Sequence, residues 1–453
     1  MKTLIKGLAI TLLLLFQLVS PPQLSAQNTV VFTLEEAISY ALQNNPDAKN
    51  AALELLASKA IIRQNLATGL PQINGTFDFT YNAAIPLIFL PNVPGSPGFN
   101  PDNPSEVVGL RFGVDFQSGL GVRVDQMIFD GSYFVGLKAA KTLNILTAFD
   151  KEKAEIDVRE TVKKAYFTVL VNDERRRIFQ VNLDRVETLL RETEALYEAG
   201  FVEKIDVSRT KVQRNNLKTE LDKIVAATAI SVEILKLQMG LPSDYTIELA
   251  ETIRDFNNLA EVTELLTTDL TRRVELDQLK TNMDLTRLDL KNNQIQYMPR
   301  LNAFLTYNRS GASLLLPDLY SSDWFTAAFV GVNLTIPIFD GFSKAARIQQ
   351  NRVQLRQLEN QQTFLKNSFE VEVYQAKVNL QNSVATLQLQ TENIELATEV
   401  FEMAKIKFQE GVGSNLEVVD ADSALKEAEN NYFAALYDAL IAKVDLEKAL
   451  GLL

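Results

Sequence analysis

The residues with chemistry to offer in this chain are carboxylates. It contains neither histidine nor cysteine, which removes imidazole bases, thiolate nucleophiles, disulfides and Cys/His zinc sites. Asp, Glu, Lys and Tyr are left, and nothing in the sequence brings an acid pair into a cleft of the glycosidase kind. No catalytic residue, cofactor or metal is expected, and the chain reads as a non-enzyme. The acids that stand out sit at two turns. In VGSNLEVVDA, Glu417 and Asp420 are three residues apart and share one helix face. In EAGFVEKIDV, Asp206 holds the corresponding place. Ser414 with Glu417 makes a capping box, and a first-turn acid such as Asp206 is stabilised by the helix dipole. Asp420 lies too far into its helix to cap. Whether these acids do more than cap depends on what the turns belong to.

The turns belong to a chain written twice. Leu70-Pro71-Gln72-Ile73 resembles Met298-Pro299-Arg300-Leu301, and IFDG occurs twice, ending at Gly131 and Gly341. Glu198-Ala199-Gly200 before Ile205-Asp206-Val207 resembles Gln409-Glu410-Gly411 before Leu416-Glu417-Val418, and Met239-Gly240-Leu241 resembles Leu450-Gly451-Leu452. The period is about 210 residues, far too long for a solenoid, so a whole domain is duplicated. Each half reads helix, strand, loop, strand, very long helix, turn, helix. The expected boundaries are 27–240 for the first repeat and 271–453 for the second, with 241–270 as a linking segment. Strands are expected over 72–82, 110–129, 300–308 and 324–339. Helices are expected over 131–198, 204–239, 341–408 and 415–450.

The strands alternate. Leu110, Phe112, Val114, Phe116, Leu120, Val122, Val124 and Ile128 share one parity, while Arg111, Asp115, Gln117, Arg123 and Asp125 share the other. One face is therefore apolar and the other charged. An ordinary sheet covering a core would do this, and so would an outer-membrane strand, apolar outward and polar inward. The lengths of the runs favour the membrane. Four strands cannot close a barrel, and an open edge in lipid leaves unpaired amides, so several copies must share one barrel.

The segment after Gly341 lacks proline and further glycine up to Phe408. Its fourteen apolar positions, from Leu355 through Phe369, Leu380 and Phe401 to Phe408, together with the two polar interruptions Gln362 and Thr391, step at a mean of about 3.5 residues, the coiled-coil value. The prolines of 83–109 mark an exposed loop. The N-terminus, with Lys2, Lys6, the apolar Leu8–Val19 and a cleavage site near Ala26, reads as a secretory signal over 1–26. The net charge of −12, or −14 without Lys2 and Lys6, argues against nucleic acid.

A signal, two β-hairpins, two IFDG joins into very long helices, and the turns EAGFVEKIDV and QEGVGSNLEVVDA together resemble the TolC-type outer-membrane efflux channels (outer membrane factors). The resemblance covers essentially the whole mature chain. It implies a mainly α, mixed α/β membrane protein: a homotrimer whose twelve-stranded outer-membrane β-barrel continues into a periplasmic α-helical barrel. It implies outer-membrane lipid, a periplasmic adaptor (membrane fusion protein) and an inner-membrane transporter as partners, in drug efflux or type I secretion from a Gram-negative cell. Glu417 and Asp420 match the periplasmic pore constriction, and Asp206 matches a residue of the closing, helix-linking network. The turns at Gly200, Val202, Gly411, Val412 and Gly413 are where an adaptor would dock. Two departures are expected: the turn before Glu417 offers no counterpart for the basic residue of that network, and a C-terminal extension of some members is missing. The rival reading is a periplasmic coiled-coil adaptor, which needs one hairpin rather than a duplicated strand–helix order.

Overall fold

The computed structural model describes residues 29–102, 106–256, 264–268, 272–321 and 323–453; the expected signal segment lies outside them. In chain order the elements are β1 (Thr29–Phe32), α1 (Leu34–Asn44), α2 (Pro46–Ala67), β2 (Gln72–Tyr81), β3 (Leu87–Pro91), β4 (Val107–Arg111), β5 (Phe116–Phe129), α3 (Gly131–Glu198), α4 (Lys204–Met239), β6 (Thr246–Leu249), α5 (Val274–Ile295), β7 (Arg300–Ser313), β8 (Phe325–Thr335), α6 (Ser343–Gln409) and α7 (Asn415–Leu450). They divide into two units. A sheet unit holds Glu54–Phe149 and Leu276–Thr363; a helical unit holds the described residues up to Leu53, Asp150–Glu275 and Phe364–Leu453.

In the sheet unit, four antiparallel strands lie in the order β2-β5-β7-β8. Register turns the alternation of each strand into one common face: Ile73, Val124, Leu305 and Val330 form a row across all four strands, and Gly75, Val122, Tyr307 and Ala328 form the next. These apolar side chains meet solvent, up to 83% exposure at Val330. The opposite face carries Asn74, Arg123, Thr306 and Phe329 in register. β2 and β8 are outermost, and their outer edges have no partner strand among the described residues.

Strand ends differ from the sequence reading for identifiable reasons. The run 110–129 is not one strand. Val107–Arg111 pairs with Leu87–Pro91 as a separate hairpin, and the sheet strand begins only at Phe116. At the break, the Asn82 side chain donates to Val114 O (2.8 Å) and its backbone N–H to Asp115 O (2.8 Å), taking up carbonyls that a longer ladder would use. β8 stops at Thr335 rather than 339, because Pro337 has no N–H for the ladder. β7 runs past 308 to Ser313, opposite Phe116.

The two IFDG joins share letters but not geometry. Asp130 Oδ1 accepts from Ser132 N (2.8 Å), and α3 starts directly at Gly131. A Cβ on Gly131 would lie 2.2 Å from Ile295 Cγ2, so glycine is needed there for the approach of α5. Asp340 Oδ2 accepts from Lys344 N (3.0 Å), but Gly341 and Phe342 are both left-handed (φ 65 and 67), and α6 begins at Ser343. A non-glycine residue in that region costs about 1 kcal/mol or more.

In the helical unit, β1 and β6 form a parallel pair. Buried Tyr166 on α3 donates to Glu251 Oε2 (2.9 Å), which also accepts from Leu34 N (2.7 Å), tying that pair to the helix. The apolar seam read along α6 is the packed one: all fourteen of its positions from Leu355 to Phe408 are buried or half-buried. Arg273 staples the start of α5. Its Nη1 donates to Ala449 O (3.1 Å) and Glu372 Oε1 (3.3 Å), its Nε to Glu275 Oε2 (3.1 Å), and the guanidinium lies 3.9 Å from the centre of the Phe369 ring. Lysine cannot reproduce that fork. Arg273→Lys is expected to cost about 1–2 kcal/mol, read as a lowered melting temperature by circular dichroism in detergent.

Candidate functional site at the two helix turns

Both turns are built alike. After α3, Gly200 is left-handed (φ 80), Gly200 N donates to Tyr197 O (3.0 Å) and Phe201 N to Leu196 O (2.9 Å). After α6, Gly411 is left-handed (φ 74), Gly411 N donates to Phe408 O (3.1 Å) and Val412 N to Lys407 O (3.0 Å). These are Schellman-type closures, which satisfy the last helix carbonyls and need a residue tolerant of positive φ. Gly413 is a glycine for another reason: a Cβ there would lie 2.9 Å from Lys407 Cβ and 3.1 Å from backbone atoms.

The apolar residues of the turns part company. Val412 is 79% exposed, as is Phe201, whereas Val202 is half-buried against a cluster that includes Phe401, Phe408 and Val418. Val202 is thus partly packed, and Phe201, which the sequence reading did not single out, is the more exposed of the two.

The following helices start with caps. Ser414 Oγ accepts from Glu417 N (3.2 Å) and also lies 3.2 Å from Glu417 Oε1. Asp206 sits at the third helical position of α4, where its Oδ2 accepts from Glu203 N (3.2 Å), and Arg209 lies 3.5 Å from its Oδ1. Asp206 thus closes a reciprocal cap, whereas at the start of α7 the Ser414 hydroxyl is the cap and the Glu417 carboxylate meets only that hydroxyl. Beyond the caps, Glu417 and Asp420 are exposed together and line one groove between α6 and α7, with Glu399, Val400, Met403 and Lys407 on the α6 side. The groove measures about 710 Å³. It gathers three carboxylates around one ammonium, an environment that attracts cations. Lys407 supplies a basic group beside the acids that motif comparison alone did not find. Asp206 does not line this groove; it borders a second one between the turns, with Phe201, Ile205 and Leu416.

Two further acids escaped the sequence reading. Asp422 and Glu429 are buried inside the unit. The signal was available: on α7, Asn415, Val418, Asp422, Leu425 and Glu429 step by three and four, so both acids occupy core positions of an apolar stripe.

Comparison with known proteins agrees with this architecture. Residues 265–452 match the family model described as "Outer membrane efflux protein". The chain is 24% identical over 424 residues to the "Probable efflux pump outer membrane protein TtgC" of Pseudomonas putida, covering 92% of this chain and 82% of that one. It is 20% identical over 434 residues to "Outer membrane protein TolC" of Escherichia coli K12, covering 93% and 82%. Among solved structures, the outer membrane protein VceC of Vibrio cholerae superposes with a TM-score of 0.69 at 16% identity, covering 92% of this chain and 96% of that one. CusC gives the same TM-score at 17% identity, covering 96% and 95%.

Proposed function

We propose that this chain is a TolC-type outer membrane efflux protein and that three copies form one outer-membrane channel, each giving β2, β5, β7 and β8 to a shared twelve-stranded barrel. The observation that carries the reading is the four-stranded sheet with an exposed apolar face and two unpaired edges. Three successive antiparallel pairings make β8 run opposite to β2. The β8 edge of one copy therefore meets the β2 edge of the next antiparallel, and the ring closes with every amide satisfied. A second apolar stripe on α6, including Val371, Leu389, Leu396 and Val400, stays exposed in the single chain and suits contact with another copy.

The channel sits in the outer membrane of a Gram-negative cell and serves export rather than catalysis. Its partners are a periplasmic adaptor and an inner-membrane pump, consistent with relatives named as efflux pump components. The turns at Gly200, Val202, Gly411, Val412 and Gly413, with exposed Phe201 beside them, are the docking tips. Glu417 and Asp420, repeated in three copies, form two stacked carboxylate rings at the periplasmic mouth, and Asp206 belongs to the network that links neighbouring helices and holds that end shut. The two repeats, 27–240 and 271–453, supply equivalent halves of each copy's share, with 241–270 between them.

Purified, detergent-solubilised protein in a planar bilayer under a salt gradient should give small, cation-selective single-channel currents. Protein that stays soluble without detergent and gives no channels would restore the adaptor reading.

A further inference from the structure

The helical unit holds a buried charged cluster that no role above uses. Asp422 is fully buried and Glu429 is 5% exposed. Both lie on α7, on the side away from the exposed Glu417 and Asp420. From α4, Gln213 Nε2 donates to Asp422 Oδ2. From α7 itself, Lys426 Nζ is 3.0 Å from the same oxygen. From α3, Arg185 Nη2 lies 3.5 Å from Asp422 Oδ1 and donates to Asn182 Oδ1 (2.8 Å), while Asn182 Nδ2 donates to Glu429 Oε2. From α6, the Phe401 ring centre lies 4.3 Å from the Arg185 guanidinium. Four helices thus converge on one arginine, one lysine and two carboxylates.

This cluster is not there for stability alone. Apolar residues of similar volume would do at least as well in such a place. Its bonding is also incomplete: Arg185 Nε, Gln213 Oε1 and Asp422 Oδ1 have no hydrogen-bond partner among the described residues. A buried network left partly unsatisfied is close in energy to alternative arrangements. The charges balance when both acids are ionised. Burial, however, pushes Glu429 up to about 7, and nearby Asp422 adds to this against the opposing effect of Asn182, Arg185 and Lys426. With Glu429 protonated, the guanidinium serves Asp422 alone and ties α3 to α7. With Glu429 ionised, the two acids repel and compete for it.

We propose that this cluster is a proton-operated latch, which holds α7 against α3 and α4, and so positions the Glu417–Asp420 face, while Glu429 carries a proton, and which loosens when Glu429 ionises. The proposal rests on the mouth role assigned to Glu417 and Asp420. Because Glu429 binds its proton more tightly folded than unfolded, its contribution to stability is complete below about pH 4.5 and is lost as pH rises through about 7.

The test is single-channel recording of the wild type, Glu429→Gln and Asp422→Asn at pH 6 and pH 8. Alongside it, inter-copy distances are measured from a spin label on Ser423→Cys, a site that the cysteine-free chain makes unique. A one-unit difference in the affinity of Glu429 for its proton between latched and released forms gives about a fivefold rise in open probability from pH 6 to pH 8. Glu429→Gln should hold the pH 6 value at both pH values, and Asp422→Asn should be released at both. A wild-type step that survives in Glu429→Gln, or no step in either currents or distances, overturns the latch. Glutamine mimics the protonated acid, so a Glu429→Gln chain that fails to assemble overturns it too. Distances that step with pH in the wild type and not in Glu429→Gln, with currents that never change, keep the latch and remove the mouth role instead.

Discussion

Replacing Glu417 and Asp420 together by alanine is expected to raise single-channel conductance several-fold and abolish most of the cation selectivity. Both acids are exposed and line one groove. In the proposed trimer they would make six carboxylates at a narrowing, where like charges repel each other and draw counter-cations. The double variant should fold normally. The helix cap uses the Ser414 hydroxyl and the backbone N–H of residue 417, and alanine keeps that N–H. The Glu417 side chain itself meets only Ser414 Oγ, at 3.2 Å. The stability cost should stay within about 0.5 kcal/mol, as for most surface changes. Reversal potentials in a potassium chloride gradient provide the readout. Selectivity equal to wild type in the double variant would reduce Glu417 to a helix-start residue and Asp420 to a surface acid. Ser414→Ala is the control: it removes the cap at about 1 kcal/mol and should leave selectivity alone.

Gly240→Val should be the most damaging single change away from the mouth. Gly240 ends α4 in the left-handed region (φ 71), which a β-branched residue adopts only with strain. A Cβ there would also lie 2.5 Å from Asn44 O and 2.9 Å from Asn45 N, both backbone atoms. The surroundings cannot retreat cheaply. Asn45 is buried, its Nδ2 donates to Gln238 O (2.8 Å), and its Oδ1 accepts from Asp47 N (2.8 Å) to start α2. Strain plus displacement of that joint is expected to cost about 3–5 kcal/mol, seen as loss of assembled protein or a melting temperature lowered by many degrees. Gly451, the matching residue of the second repeat, is also left-handed (φ 76), so the same turn closes both repeats.

Local pattern was enough for much of this fold. Strand alternation identified the apolar sheet face because successive side chains must point oppositely, and register then aligned the four strands row by row. The step of about 3.5 residues along α6 located its packed seam, since a helix buries what it repeats. What pattern missed involves partners distant in the chain. Gln213 and Asp422 are 209 residues apart, and no local period joins them. Val202 and Phe201 are adjacent and both apolar, so only the path of the turn decides which one packs. Gly131 and Gly341 stand in identical tetrapeptides, yet Ile295 sets the requirement at the first and backbone φ at the second. The acids at the turns lie between these cases. Their capping geometry was written in the spacing, while the groove they share with Lys407 came from the pairing of α6 with α7.

The two free edges of the sheet have a genetic consequence. In a ring closed only by contacts between copies, each chain is responsible for two seams, and a chain with a faulty β2 or β8 edge spoils every ring it enters. In a cell expressing sound and faulty chains equally, about one ring in eight would draw three sound copies. Lesions at Gln72–Tyr81 or Phe325–Thr335 should therefore behave as dominant, while a chain too damaged to reach a ring at all should behave as recessive.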